Sequence, residues 1–292
     1  MSQTVAHRTS STEAVVPAND CAVRAVAVGI AGVRREPDPD AEVVTQALLQ
    51  SPVAVLDNVD GWMRVRLSDY EGWMRIAELG APSVVSERVA VVQALRATVY
   101  TATVGKQAHV PAYATTVLPL LDESLENNRL RVALPGSASG WVDATDVAVR
   151  PASEAFPVAG ADVALSLARR MLGVSYLWGG TSVEGLDCSG LAQLCCRAAG
   201  RVIRRDADQQ YESIPYVVAR GDLDAGDLIF FARDGAITHV ALMLDASRYI
   251  HAKGEPESRV MINSLDPNHA EYSQRLADRY AGARRPFADT II

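Results

Sequence analysis

Residues 176–191 read YLWGGTSVEGLDCSGL. Glycines at 179, 180 and 185 mark turns, and Cys188 stands where the turn gives way to the apolar run CSGLAQLCCRAAG. That run predicts a helix from about Cys188 to Ala199, with Gly200 at its C-terminal end. A helix N-terminus favours a thiolate, which is the nucleophilic form of cysteine. Asp187 acts with the opposite sign, because a carboxylate beside the thiol disfavours a second negative charge. It fits a contact to a cationic part of a substrate better than an activator. On these residues alone, an inert helix-capping cysteine fits as well as a nucleophile.

Working outward, ADVALSLARRMLG (161–173) predicts a helix with Val163, Leu167 and Met171 on one face, ending at Gly173. Downstream, GDLIFF, ITHVALML and RYIHA read as strands joined by turns. Helices first and strands afterwards predict an α+β domain with an antiparallel sheet. The connector RPASEAFPVAG (150–160) marks its boundary with what precedes it.

The N-terminal half has another texture. DGWMRVRLSDYEGWMRIAEL (60–79) and ENNRLRVALPGSASGWVDATDV (126–147) align Val65 with Val132 and Trp73 with Trp141. Each copy shows β-branched strands, a glycine turn and a Gly-Trp step, the pattern of small β modules. Trp62, Trp73 and Trp141 read as core anchors. The paired Gly-Trp strands resemble bacterial SH3-like (SH3b) barrels, which implies domains over residues 1–82 and 83–150, followed by a linker and third domain over 151–292.

A thiolate nucleophile needs an imidazole base, and the base needs an orienting partner. Of five histidines, His239 and His251 lie in predicted strands of the third domain, joined by the short DASR segment. A hairpin there sets their faces side by side. His7 falls in an N-terminal tail, His109 in the second β module and His269 in a turn. One cysteine and two histidines can bind zinc, but no local pair has the tight spacing of a zinc motif, so no metal is expected. Cys195 and Cys196 read as core residues.

The composition of 292 residues with 49% hydrophobic and 22% charged side chains predicts a folded, multi-domain protein. A net charge of −7 without a basic stripe argues against a nucleic-acid partner. No window has the roughly 20 apolar residues of a membrane span. The N-terminus lacks the pattern of a secretory signal, so the chain reads as cytoplasmic if Met1 is its native start and as exported otherwise. Free thiols fit a reducing compartment.

Four segments in order, YLWGGTSVEGLDCSGL, AGDLIFF, ITHVALML and YIHA, resemble the NlpC/P60 family of cysteine peptidases. The resemblance implies a small papain-like α+β domain from about residue 160 onward. It also implies Cys188 as nucleophile, His239 as base and His251 as the residue orienting it, without a cofactor. Two positions depart from the family pattern: Ala241 replaces a glycine after the H-V step, and Arg204 stands in the proline position of an I-P-R stretch.

Two SH3b-like barrels before such a domain resemble the γ-D-glutamyl-L-diamino acid endopeptidases that trim free murein peptides. That implies a peptide substrate with an unblocked N-terminal L-Ala and a monomeric enzyme of cell-wall peptide recycling. Substrate contacts are expected from Asp187, Ser189, Tyr176 and Trp178, and from Tyr70 and Glu36 of the first β module. Opposite Tyr70 the second module carries Ala138, which favours a substrate-facing role for Tyr70 over a structural one. For Glu36 a solvated loop carboxylate fits equally well. Arg204 and Arg205 read as a solvated face, or as partners for a substrate carboxylate. The alternatives are an exported hydrolase acting on intact peptidoglycan, an inert wall-peptide binding protein, or a thiol acyltransferase.

Overall fold

The computed structural model describes residues 21–288; the tail carrying His7 and residues 289–292 lie outside them. Short, turn-punctuated apolar runs in the N-terminal half form two consecutive seven-stranded antiparallel sheets. The first holds β1 (Val23–Val26), β2 (Ile30–Arg34), β3 (Val43–Leu48), β4 (Pro52–Val59), β5 (Trp62–Arg66), β6 (Glu71–Arg75) and β7 (Leu79–Gly80). The second holds β8 (Arg88–Val92), β9 (Arg96–Tyr100), β10 (Ala108–Tyr113), β11 (Val117–Glu126), β12 (Arg129–Ala133), β13 (Ser139–Asp143) and β14 (Val147–Pro151). Their orders, β3-β2-β6-β5-β4-β1-β7 and β10-β9-β13-β12-β11-β8-β14, are the same path traced twice.

The recurring Gly-Trp step has a physical cause, though a different one from that expected. Trp62 is buried, but Trp73 and Trp141 are only partly so, while Met74 and Val142 beside them are fully enclosed. The inward-facing residues are the glycines. A Cβ on Gly72 would stand 2.6 Å from the Arg34 carbonyl, and one on Gly140 would stand 2.4 Å from a Val99 methyl. The glycine, not the tryptophan, lets β6 and β13 close against their neighbours.

The remaining chain builds α1 (Ala161–Arg170), β15 (Thr181–Ser182), β16 (Gly185–Leu186), α2 (Cys188–Ala198), α3 (Ala207–Ser213) and β17 (Val217–Val218). Strands β18 (Leu228–Arg233), β19 (Ala236–Met243), β20 (Arg248–Lys253) and β21 (Arg259–Ser264), helix α4 (Gln274–Ala277) and β22 (Tyr280–Arg284) follow. Six of these strands make one antiparallel sheet in the order β17-β22-β18-β19-β20-β21. One face, with Phe230, Val240, Leu242 and Ile250, packs on α1 and α2; the other, with Phe231, Ala241, Met243 and Tyr249, is closed by Leu265 and Leu276. Helix α1 buries Ala164, Leu165, Leu167 and Ala168, with Met171 enclosed just past its end, leaving Val163 more exposed than its predicted stripe implied. Cys195 and Cys196 sit in the core at 0% exposure. Among the described residues, no helix is long and apolar enough to cross a membrane.

Candidate active site

Asp187 is the N-cap of α2, and its Oδ1 accepts from the Gly190 amide at 2.7 Å. Oδ2 accepts from the Gly179 amide at 2.9 Å, which ties the YLWGG turn to the start of the helix. Gly190 is required here, because a Cβ would lie 2.2 Å from the Gly180 carbonyl. Turn and cap together hold Cys188 at the first position of α2, 9% exposed. Burial and then Asp187 push its thiol up to about 12, while the amides of Val240 and Ser189 and the Arg205 guanidinium pull the other way.

The contact with the Val240 amide brings β19 to the sulfur one residue beyond His239. β19, β20 and β21 are sheet neighbours, and each contributes one polar side chain to a single line. His239 Nε2 lies 2.7 Å from His251 Nδ1, and His251 Nε2 lies 3.0 Å from Asn263 Oδ1. The predicted hairpin therefore forms and sets the two imidazoles edge to face, 5.0 Å between centroids. Burial and then His251 hold His239 well below the ordinary histidine range. Burial brings His251, 0% exposed, down to about 4. Among the described residues no hydrogen bond joins Cys188 to His239, whose Nδ1 has no protein partner. Such contacts often close only around a substrate. Among the described residues no cluster of three or more histidine, cysteine or carboxylate side chains offers a metal cage.

Asp187 and Arg205 depart from their expected roles. Arg205 is 1% exposed, and its guanidinium meets Asp187 in a fork: Nη2 to Oδ2 at 2.6 Å and Nη1 to Oδ1 at 3.0 Å. Nη1 also donates to Ser189 Oγ, and Nε donates to Thr45 Oγ1 on β3. Asp187 thus has a counter-ion inside the protein, and Ser189 is turned toward that pair. Arg205 is no solvated residue; only Arg204 is exposed. Its one sequence signal was its place in the VIRRDADQQ stretch.

The first sheet docks on this turn. Trp178, 61% exposed, donates from Nε1 to Glu42 Oε1 at 2.9 Å, and Glu42 also pairs with Arg35. The Thr181 amide donates to Gln46, and Gln193 donates to Asp69. Tyr70 is half-buried at the same junction and hydrogen-bonds Asp206; burial and then Asp206 push its phenol up. Asp206 is itself raised, chiefly by burial. Burial and then the neighbouring Cys188 push the Tyr176 phenol up. Glu36 is exposed and its side chain has no hydrogen-bond or ionic partner among the described residues, so the carboxylate at the junction is Glu42. Sequence reasoning passed over Glu42, Asp206 and Asn263 because each meets its partner only through tertiary packing.

Comparison with known proteins identifies the family to which these elements belong. A model of the NlpC/P60 family matches residues 173–279, and one of the bacterial dipeptidyl-peptidase SH3 domain matches residues 33–79. The chain is 30% identical over 257 residues to a γ-D-glutamyl-L-lysine dipeptidyl-peptidase of Bacillus cereus, covering 82% of this chain and 74% of that one. It is 28% identical over 268 residues to dipeptidyl-peptidase 6 of Lysinibacillus sphaericus, covering 85% and 93%. The crystal structure of an NlpC/P60 family protein from Bacillus cereus superposes with a TM-score of 0.81 at 26% identity, over 91% of this chain and all of that one. A cysteine-first helix laid against a histidine-bearing antiparallel sheet, in a chain aligned over most of its length to such relatives, places the protein in the NlpC/P60 family of cysteine peptidases.

Proposed function

We propose that the protein is a γ-D-glutamyl-L-diamino acid endopeptidase that cleaves free murein peptides bearing an unblocked N-terminal L-Ala, in cytoplasmic recycling. The carrying observation is the docking of the first sheet against the nucleophile turn through Thr45–Arg205, Glu42–Trp178 and Tyr70–Asp206. A wall built that close to Cys188 suits a short peptide end and hinders an extended strand. In this reading Asp206 and Tyr70 receive the substrate ammonium. The Asp187–Arg205 pair and Ser189 brace the turn, and Tyr176 and Trp178 flank the cleft. The second sheet is read as a further SH3b-like domain on its repeated strand order, the third unit as papain-like, and the boundaries as 82/83 and 150/151.

Cys188 Sγ attacks the γ-carbonyl carbon of D-Glu as its proton passes to His239 Nδ1. The Cys188 amide, at the N-terminus of α2, donates to the developing oxyanion. His239 then protonates the departing amine of the diamino acid, leaving a thioester that water, deprotonated by His239, hydrolyses.

The test is a mass-spectrometric digest of L-Ala-γ-D-Glu-diaminopimelate and its lysine counterpart, each free and N-acetylated, with Cys188→Ala as the blank. Release of L-Ala-D-Glu from the free peptides alone is the expected result. Equal cleavage of acetylated peptide removes the ammonium pocket and points to intact wall as substrate. Tyr70→Phe, which keeps the ring and loses the bond to Asp206, is expected to raise KM for the free peptide roughly 10-fold, in the range of one charge-assisted hydrogen bond. An unchanged KM excludes Tyr70 from recognition.

A further inference from the structure

The two histidines are followed by a third polar side chain whose orientation determines where their protons sit. Asn263, on β21, donates from Nδ2 to the Glu271 carbonyl at 2.8 Å. A carbonyl only accepts, so this end of the amide is the NH2 group and the oxygen faces His251. That oxygen only accepts as well, so His251 Nε2 carries the hydrogen across the 3.0 Å contact. In a neutral His251 the other nitrogen, Nδ1, is then bare and accepts from His239 Nε2 at 2.7 Å. His239 is left with a lone pair on Nδ1, as the base toward Cys188 must have.

Turning the amide over reverses every step. Its NH2 would face His251 Nε2, His251 would donate from Nδ1, and His239 would present an N–H to the thiol. The turned amide would also set its oxygen against the Glu271 carbonyl, which already accepts from the Ser264 amide at 3.0 Å. One orientation satisfies all four groups; the other leaves two oxygens facing each other. We propose that Asn263 is a positioning residue of this enzyme, reading the Glu271 carbonyl and setting both histidine tautomers so that His239 faces the nucleophile as an acceptor. This rests on the reading of Cys188 and His239 as nucleophile and base.

The other groups facing the pair are the Tyr249 and Phe231 rings and the charges of Lys253 and Glu257, which pair with each other at 2.7 Å. All remain in variants at 263. The experiment is two-bond nitrogen–proton NMR of histidine-labelled full-length protein, which reads each ring's tautomer without substrate. Wild type is expected to show Nε2–H at both His239 and His251. Asn263→Ala is expected to populate the Nδ1–H forms and lower kcat at least about 10-fold with KM unchanged, since a base in the wrong tautomer is inactive. Asn263→Asp keeps an acceptor at His251, so the tautomers return although its second oxygen loses the bond to the Glu271 carbonyl, and its negative charge moves the acid limb of kcat/KM to higher pH. An Nδ1–H His251 in wild type overturns the proposal, as does an Asn263→Ala protein with unaltered tautomers and kcat. Failure to cleave murein peptides would sink the substrate reading and leave the tautomer result standing.

Discussion

Replacing Arg205 with leucine is expected to cost about 3–5 kcal/mol of folding stability, the usual penalty for stranding one partner of a buried ion pair. The guanidinium is 1% exposed and Asp187 is 6% exposed, so water cannot take over the lost contacts. Asp187 would keep the Gly179 and Gly190 amides but lose the only opposite charge bonded to it among the described residues. Thr45 would lose its bond from Arg205, loosening the first sheet from the Cys188 turn. Urea denaturation of the whole chain measures the loss, and the double variant Arg205→Leu/Asp187→Asn separates its causes. Recovery of most of the stability in the double variant identifies the stranded carboxylate as the cost. A single variant that loses under about 1 kcal/mol would mean that the pair does not hold the turn.

The contrast between Arg205 and Cys188 shows what a linear reading reaches. Cys188 announces itself locally: a glycine turn, an Asx-type cap and an apolar run are all contiguous, and the helix begins where they predict. The strands carrying His239 and His251 alternate in the ordinary way, and a four-residue link makes their pairing nearly obligatory. Arg205 bonds to Thr45, 160 residues away, and nothing in an Arg-Arg step says which side chain turns inward. Glu36 and Glu42 flank one loop of the first sheet, and only the docking of Trp178 distinguishes them. Asn263 sits in VMINSL, where asparagine before serine suggests a turn. Its place in β21, beside β20, is a property of the sheet order. The Gly-Trp steps were legible as a repeat but not in mechanism, since the lack of room for a Cβ at Gly72, beside the Arg34 carbonyl, leaves no mark on the hydrophobic pattern.

His239→Ala should lower kcat for the free murein peptide about 10³-fold, within the range for losing a general base. The thiol it serves is pushed to about 12, so near neutral pH only about one Cys188 in 10⁵ is thiolate unaided. In the proposed mechanism His239 takes the proton during attack, so the rate does not depend on that small fraction. Burial and His251 hold His239 below the ordinary value of 6.5, so the base stays unprotonated and wild-type kcat/KM stays level as pH falls to that value, declining only beneath it. The variant has no such plateau: its residual rate should climb about 10-fold per pH unit through the neutral and alkaline range, following the thiolate. Stability moves separately. His251 falls from 6.5 to about 4 on folding, so the unfolded chain binds the extra proton between those values and the folded state loses about 3 kcal/mol as pH drops across them. His239, also held below 6.5, adds a loss of its own in wild type alone, so the ratio of the two rates isolates the base at neutral and alkaline pH. A ratio that stays constant from pH 7 to 9 would mean that His239 does not take the thiol proton, and the nucleophile would then need another base.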